Sequence, residues 1–450
     1  MIEILPLIQS FAPILTATTC QQLSRIAFAM IAMSGRVTMQ GLARWAGEGG
    51  SYRTVQRFFA RVLPWASLFW LFFRQHLYRA EDVYLLAGDE VVVTKSGKAT
   101  HGLDRFFSSL YGKPVPGLAF FALALVSTRE RHSFPVQVEQ VIRSEAEKAK
   151  SKAKAAAKKQ KPANEKRRPG RPKGSKNKNK AVVELTPELG RIQGMVNAFL
   201  QRVAGFLPLN YLLLDGHFGH NNALPMARQS NLHLISKLRS DSALYFAYEG
   251  PYSGHGPQRK YGDRVDYRQL PASYRKETRL DGRIQTCFYQ ATLLHKEFSQ
   301  PLNVVILVKT NLDTHAQAHV VLFSSDLALA YDKLFDYYCL RFQIEFNFRD
   351  AKQFWGLENF MNISPTAVTN AANLSLFMVN LSYQLLLDFR RTNPAFSVLD
   401  RKARTRGYKY VDETIKLLPQ KPEPFLLTQI FNHVAALGQI HATQSVLEPS

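Results

Sequence analysis

The sequence predicts an α/β fold in which helices pack on a mixed sheet, with helical segments at both ends of the chain. From Val83 the pattern turns from helical to strand-like, with Val83–Ala87, Val91–Val93 and Gly117–Val126 forming short apolar or alternating runs. A helix over about 186–206 is followed by a strand at Tyr211–Leu214, a helix at Ala223–Ser230 and a strand at Leu232–Ser236, and strands alternating with helices argue for an α/β sheet. With 46% hydrophobic residues in 450, the chain can bury a large core and is expected to divide into domains.

Each region follows from its own pattern. Residues 1–78 read as a helical N-terminal domain holding a helix-turn-helix: Thr38–Ala46, a Glu48-Gly49-Gly50 turn, then Ser51 as N-cap of Tyr52–Arg61. Arg53, Arg57 and Arg61 recur at helical spacing and Gln56 lies within reach of a base edge, whereas Val55, Phe58 and Phe59 are expected to pack inward. Residues 80–238 read as the first part of an α/β core, interrupted by a basic tract at 143–182. Residues 239–326, with Arg283–Tyr289 and Leu302–Val308 as strands between Gly and Pro, read as a β-rich block. Residues 327–362 return to helix and close the core, and 363–450 form a C-terminal helical region with helices near Thr366–Asp388 and Glu423–Leu437.

The formal charge of +23 and a pI near 9.9 point to a polyanionic partner, because phosphate neutralisation by Lys and Arg drives non-specific nucleic-acid binding. Between Arg143 and Lys180 stand 16 Lys or Arg against three acids, which is +13 and leaves +10 elsewhere. Within this tract Arg168-Pro169-Gly170-Arg171-Pro172-Lys173-Gly174 is similar to an AT-hook arm, whose Arg168 and Arg171 would enter a narrow minor groove; the alternative is a basic loop touching phosphates alone. Three widely spaced cysteines, Cys20, Cys287 and Cys339, give neither a disulfide framework nor zinc spacing and suit an intracellular setting. Glu3 stands where a secretory leader carries positive charge, and no apolar run reaches the length of a membrane span, so neither secretion nor a membrane is expected.

The chemistry gathers at three carboxylates. Asp89 and Asp215 each end an apolar run, where open α/β sheets place reactive groups. On one helix, at about 100° per residue, Tyr338, Glu345, Lys352 and Arg341 share an arc of about 60°, with Phe342, Phe335 and Phe346 beside them as an aromatic seat. Three such carboxylates suit hard divalent ions, and a pair of Mg²⁺ at about 3.5–4 Å would activate a hydroxyl or water and stabilise a leaving oxygen at one phosphodiester. Glu90 is expected on the opposite strand face from Asp89, and Asp350 off the polar arc. Lys237 and Arg239 follow the strand ending at Ser236 and are candidate DNA contacts. His217 and His220 lack a third soft ligand for zinc, and Trp355 reads as a core residue before it reads as a base-stacking one.

The order Tyr338, Arg341, Glu345, Lys352, together with Asp215-Gly216-His217-Phe218 and Gly88-Asp89-Glu90, resembles the signature of the bacterial insertion-sequence transposases of the IS-four family. The resemblance covers roughly 80–355 and implies an RNase H-like core with a β-rich insertion. It further implies a DDE transposase, located with the bacterial nucleoid in the cytoplasm, that cuts double-stranded DNA at terminal inverted repeats and joins the ends to target DNA. Asp89, Asp215 and Glu345 would hold two Mg²⁺, with Mn²⁺ as a substitute, and Tyr338, Arg341 and Lys352 would grip phosphates near the cut end. A homodimer is expected in the synaptic complex. The competing readings are a non-catalytic DNA-binding protein that keeps the fold, and a metal-dependent nuclease that cuts without joining.

Overall fold

The computed structural model describes residues 3–108, 111–159, 184–252 and 254–441. Five helices come first: α1 (Ile4–Gln9), α2 (Ala17–Ala32), α3 (Met39–Ala46), α4 (Tyr52–Ala60) and α5 (Trp65–Phe72). Thr38 and Ser51 cap α3 and α4, their hydroxyls accepting from Gly41 N–H at 3.1 Å and Thr54 N–H at 3.3 Å, so each helix starts where a side chain satisfies a free amide. The glycines of the Glu48-Gly49-Gly50 turn free the chain to reverse, and Gly49 takes a positive φ of 75°.

The sheet region follows as β1 (Tyr84–Thr94), β2 (Asp104–Ser108), β3 (Lys113–Ser127), β4 (His132–Val141), α6 (Glu145–Lys159), α7 (Pro187–Val203), β5 (Tyr211–Leu213), α8 (Ala223–Gln229) and β6 (His233–Leu238). Six further strands come next: β7 (Leu244–Ala247), β8 (Tyr261–Arg264), β9 (Arg275–Asp281), β10 (Ile284–His295), β11 (Leu302–Asn311) and β12 (Gln317–Ser324). The chain closes with α9 (Tyr331–Arg341), α10 (Gln343–Trp355), α11 (Pro365–Thr392), α12 (Val398–Lys416) and α13 (Pro424–Leu437). Among the described residues no helix is long and apolar enough to cross a membrane.

Among the described residues all twelve strands join one mixed sheet, in the order β2-β3-β1-β5-β6-β12-β11-β10-β7-β8, with β4 also on β3 and β9 on β10. β1, β5 and β6 are parallel neighbours, while β3 lies antiparallel to β1 and β12 antiparallel to β6. The β-rich stretch therefore extends the sheet from the edge of β6 instead of forming a sheet apart. The fold is thus mixed α/β with a large mixed sheet.

Two expectations change. The break expected between Val83–Ala87 and Val91–Val93 does not occur, because β3 pairs with β1 along its whole length, from Tyr84 opposite Ser127 to Thr94 opposite Gly117. Asp89 is therefore within a strand and not at its end. The single helix expected to carry Tyr338 through Lys352 is broken at Phe342, whose N–H bonds Cys339 O at 3.1 Å while its own carbonyl accepts from Glu345 N–H at 3.1 Å. No glycine or proline marks this tighter turn. Leu340 and Ile344 are buried on either side of it, and Phe342 between them is left 48% exposed, so the tertiary packing sets the break and Phe342 is no anchor.

The two ends of the chain pack around α11. Asn370, buried, accepts from Trp65 Nε1–H at 2.7 Å and donates to the carbonyls of Phe59 (2.8 Å) and Arg61 (2.7 Å), while Phe11, Trp65, Phe69 and Phe72 surround Phe377. From α12, Lys402 donates to Met30 O and Arg406 to Ala32 O at 3.1 Å, so cations close the carbonyl end of α2 where the helix dipole favours them. Burial pulls the Lys402 ammonium down to about 7, with Arg406 adding to the effect.

Candidate active site

Two parallel strands set the first two acids level with each other. Leu86 pairs with Leu212 and Ala87 with Leu213, and Asp89 and Asp215 each stand two residues further along. Since side chains alternate along a strand and neighbouring strands lie about 4.8 Å apart, both carboxylates leave the sheet on one face at one height. Gly88 permits this arrangement: a Cβ there would meet Phe121 Cζ at 2.8 Å. The Asp215 carboxylate accepts the His217 N–H at 3.1 Å, and Ser236 Oγ donates to the Asp215 carbonyl at 2.6 Å, which fixes the turn after β5. A Cβ on Gly219 would fall on the Lys237 carbonyl, so the return of that turn over β6 requires glycine.

The third acid comes from α10, which Lys352 ties to β1 by donating to Val92 O at 3.0 Å and Asn347 ties to β4 by donating to Ser133 Oγ at 2.5 Å. Arg341 then links the acids, with Nη1 3.3 Å from Asp89 Oδ2 and Nη2 2.9 Å from Glu345 Oε1. The cleft holds about 880 Å³. It is lined by seven acids, Asp89, Glu90, Glu139, Glu188, Asp215, Glu345 and Glu358, against four bases, Arg143, Arg191, Arg349 and Lys352. In a chain of charge +23 the cleft is an acidic exception.

Burial pushes the Asp89 carboxyl up to about 6; Arg341 and the Glu90 N–H oppose the rise, and Asp215 and Glu345 add to it. Burial works against the charge of Arg341, but Asp89 and Glu345 outweigh it and hold the guanidinium protonated. Burial also raises the Tyr338 phenol, beside which lie Arg341, 5.8 Å over the ring, and Asp215.

The structure thus brings together Asp89, Asp215, Glu345, Arg341 and Lys352. Arg341 lies inside, 9% exposed, and its charge is committed to carboxylates, which differs from the open cationic stripe expected of a single helix. Lys352 also pairs with Glu358 at 3.2 Å. Lys237 belongs to β6 itself, its Cε beside Gly216, and Arg239 is engaged with Asp241 at 2.9 Å in an exposed turn. Arg53 and Arg57 are exposed on α4 and do not line the cleft. Arg168 and Arg171 lie outside the described residues. Trp355, 1% exposed, is a core residue, so stacking on a base is ruled out for it.

Glu188 escaped the sequence reading. It sits in the first turn of α7, lines the cleft and approaches His217 Nε2 at 3.6 Å, a contact that lowers the carboxyl and raises the imidazole. A glutamate in a first helical turn after Thr186-Pro187 is so common that nothing in the sequence sets it apart.

An acid on β1, one just beyond the parallel β5 and one on a crossing helix line a single cleft of an α/β protein. A family model described as DDE superfamily endonuclease matches residues 10–292, more than half of the chain, and the chain belongs to that family. The match contains Asp89 and Asp215 and ends before Glu345. Membership makes this a nuclease-type enzyme with DNA as its substrate, in a family that typically uses divalent metals. No curated protein matches the chain.

Proposed function

We propose that the chain is an insertion-sequence transposase of the IS-four type, which cuts DNA at the ends of its element and joins them to target DNA. The observation that carries this reading is the placement of Asp89 on β1 and Asp215 two residues past the paired end of the parallel β5, with Glu345 reaching Asp89 through one guanidinium. The strand order β4-β3-β1-β5-β6, with β1, β5 and β6 parallel and β3 reversed, supports an RNase H-like core, and β7 to β12 between β6 and α9 support an insertion within it.

The donors are all oxygens, and the excess of acids over bases fits a hard divalent cation. Asp89, Asp215 and Glu345 would hold Mg²⁺, two ions on this reading, or Mn²⁺ in its place; when bound, the metal supplies Lewis-acid activation of the attacking oxygen and charge for the leaving one. The chain's own residues do the rest. Lys352, fixed on the Val92 carbonyl, stands about 10 Å along the helix from Glu345 and offers its charge to a neighbouring phosphate. Tyr338 and Arg341 complete that grip, Lys237 and Arg239 extend it, and Arg53 and Arg57 on α4 would hold DNA away from the cleft. The helical body formed from both chain ends would carry end recognition and the homodimer contact.

Glu345→Gln tests the reading directly. DNA carrying the element's own ends is incubated with the variant and Mg²⁺, and the cuts and joined products are mapped. DNA binding is expected to persist while cutting stops; cutting at the wild-type rate removes Glu345 from the site. Wild-type cutting without any joined product would favour the nuclease reading.

A further inference from the structure

Arg341 is bound in a way that a phosphate-gripping residue does not need to be. It is buried, its two terminal nitrogens each meet a carboxylate, and its Nε is a buried donor with no hydrogen-bond partner. Among the described residues no three His, Cys, Asp or Glu side chains are placed to hold one ion together. The cleft's seven acids nevertheless demand positive charge, and at Asp89 and Glu345 the guanidinium delivers it. An ion of higher charge could replace a cation so placed.

We infer that Arg341 is a placeholder for the divalent cation: in the DNA-free protein its guanidinium spans Asp89 and Glu345, holds them in a spacing that does not serve one ion, and competes with the metal for their oxygens. The inference rests on the assignment of Asp89, Asp215 and Glu345 as metal ligands. Entry of the ion at these two acids requires the guanidinium to leave, and a DNA phosphate in the cleft would offer it other charged oxygens. Metal and DNA then favour each other's binding, since whatever removes Arg341 from the acids serves both. The protein would hold metal weakly until DNA arrives, which restrains cutting in the absence of a bound end.

The test is Mn²⁺ binding to the full chain without DNA, read from the electron paramagnetic resonance signal of the free ion. Arg341→Gln is expected to bind Mn²⁺ about tenfold tighter than wild type or better, because a like charge at contact distance is removed. Arg341→Met, which keeps the aliphatic stem, takes the same titration and serves if the Gln variant does not fold. Arg341→Lys, which keeps the charge, is expected to gain less than either. Unchanged or weaker binding in the folded neutral variants overturns the inference. Adding Glu345→Gln to a neutral variant separates the two failures: a gain that vanishes places the ion at these acids, whereas Mn²⁺ binding indifferent to Glu345 in every background sinks the metal-site assignment itself.

Discussion

Asp89→Asn is expected to stabilise the metal-free protein at neutral pH while abolishing its chemistry. The Asp89 side chain is only 19% exposed, and burial lifts its carboxyl from 3.8 to about 6 in spite of Arg341. An acid whose folded pKa lies above its unfolded one costs stability once ionised. Between about pH 4 and pH 6 the folded chain keeps a proton that the unfolded chain has lost, so stability falls as pH rises through that window. At 1.36 kcal/mol per pH unit the full cost, reached above pH 6, is about 3 kcal/mol. Asparagine keeps the shape and removes the charge, and the attraction of Arg341 is already included in the raised value; Arg341 also retains Glu345 at 2.9 Å. If all 450 residues melt together, the unfolding entropy converts this to a rise in Tm of about 3 °C. The assay is thermal melting of both proteins in chelator at pH values of about 4, 5 and 7.5. The gain should be absent at the lowest pH and full at the highest. A variant that melts at or below wild type near neutrality, or a gain that does not depend on pH, would refute the reasoning.

Other expectations concern DNA and the helical body. Replacing Arg53 and Arg57 together by Ala should weaken DNA binding and reduce the slope of log affinity against log salt by about 2, as measured by fluorescence anisotropy; an unchanged slope takes α4 off the interface. Deleting residues 146–180 should weaken binding and flatten the same slope, because fewer counterions are released, and an unaltered slope would mean the tract does not touch DNA. Asn370→Ala should cost about 3 kcal/mol in chemical denaturation, since it leaves Trp65 Nε1 and the carbonyls of Phe59 and Arg61 without their partner.

The sequence made the elements legible wherever local chemistry dictates them. Ser51 marks the start of α4 because a hydroxyl there satisfies a free amide, and Leu302–Val308 reads as a strand because six of its seven residues are buried, as in β11. The contributions of distant partners were not legible. β1 runs through Gly88-Asp89-Glu90 because β3 pairs with it, and α9 and α10 part at Phe342 because Leu340 and Ile344 both turn to the core. The same limit applies to the candidate site. Asp89, Asp215 and Glu345 stand out as acids closing apolar runs or lying on a motif, but the inward turn of Arg341 and the arrival of Glu188 in the cleft depend on tertiary placement that no spacing encodes. α12 was missed because its nine charged residues in 19 obscure an apolar face, and three of them, Asp400, Arg401 and Lys402, are buried through partners elsewhere in the chain or at its cap.

The distribution of charge orders the events that this protein can support. The exposed arginines on α4 do not line the cleft, and the chain's net charge of +23 attracts a polyanion over roughly a Debye length of about 10 Å. The floor, with seven acids against four Lys or Arg, His217 and the Arg341 that bridges two of the acids, keeps an acidic excess that repels the same polyanion at short range. Attraction at a distance combined with repulsion at the reacting position means that DNA can be gathered before any phosphate is seated. A phosphate is seated only when positive charge has been added to the floor. Arg341 is too deeply committed to Asp89 and Glu345 to supply that charge without uncovering two carboxylates, so moving it alone leaves the local sum unchanged. Only a cation brought from outside alters the balance. On the proposed reading, dependence on a divalent ion therefore follows from the electrostatics of the cleft as much as from the geometry of three ligands.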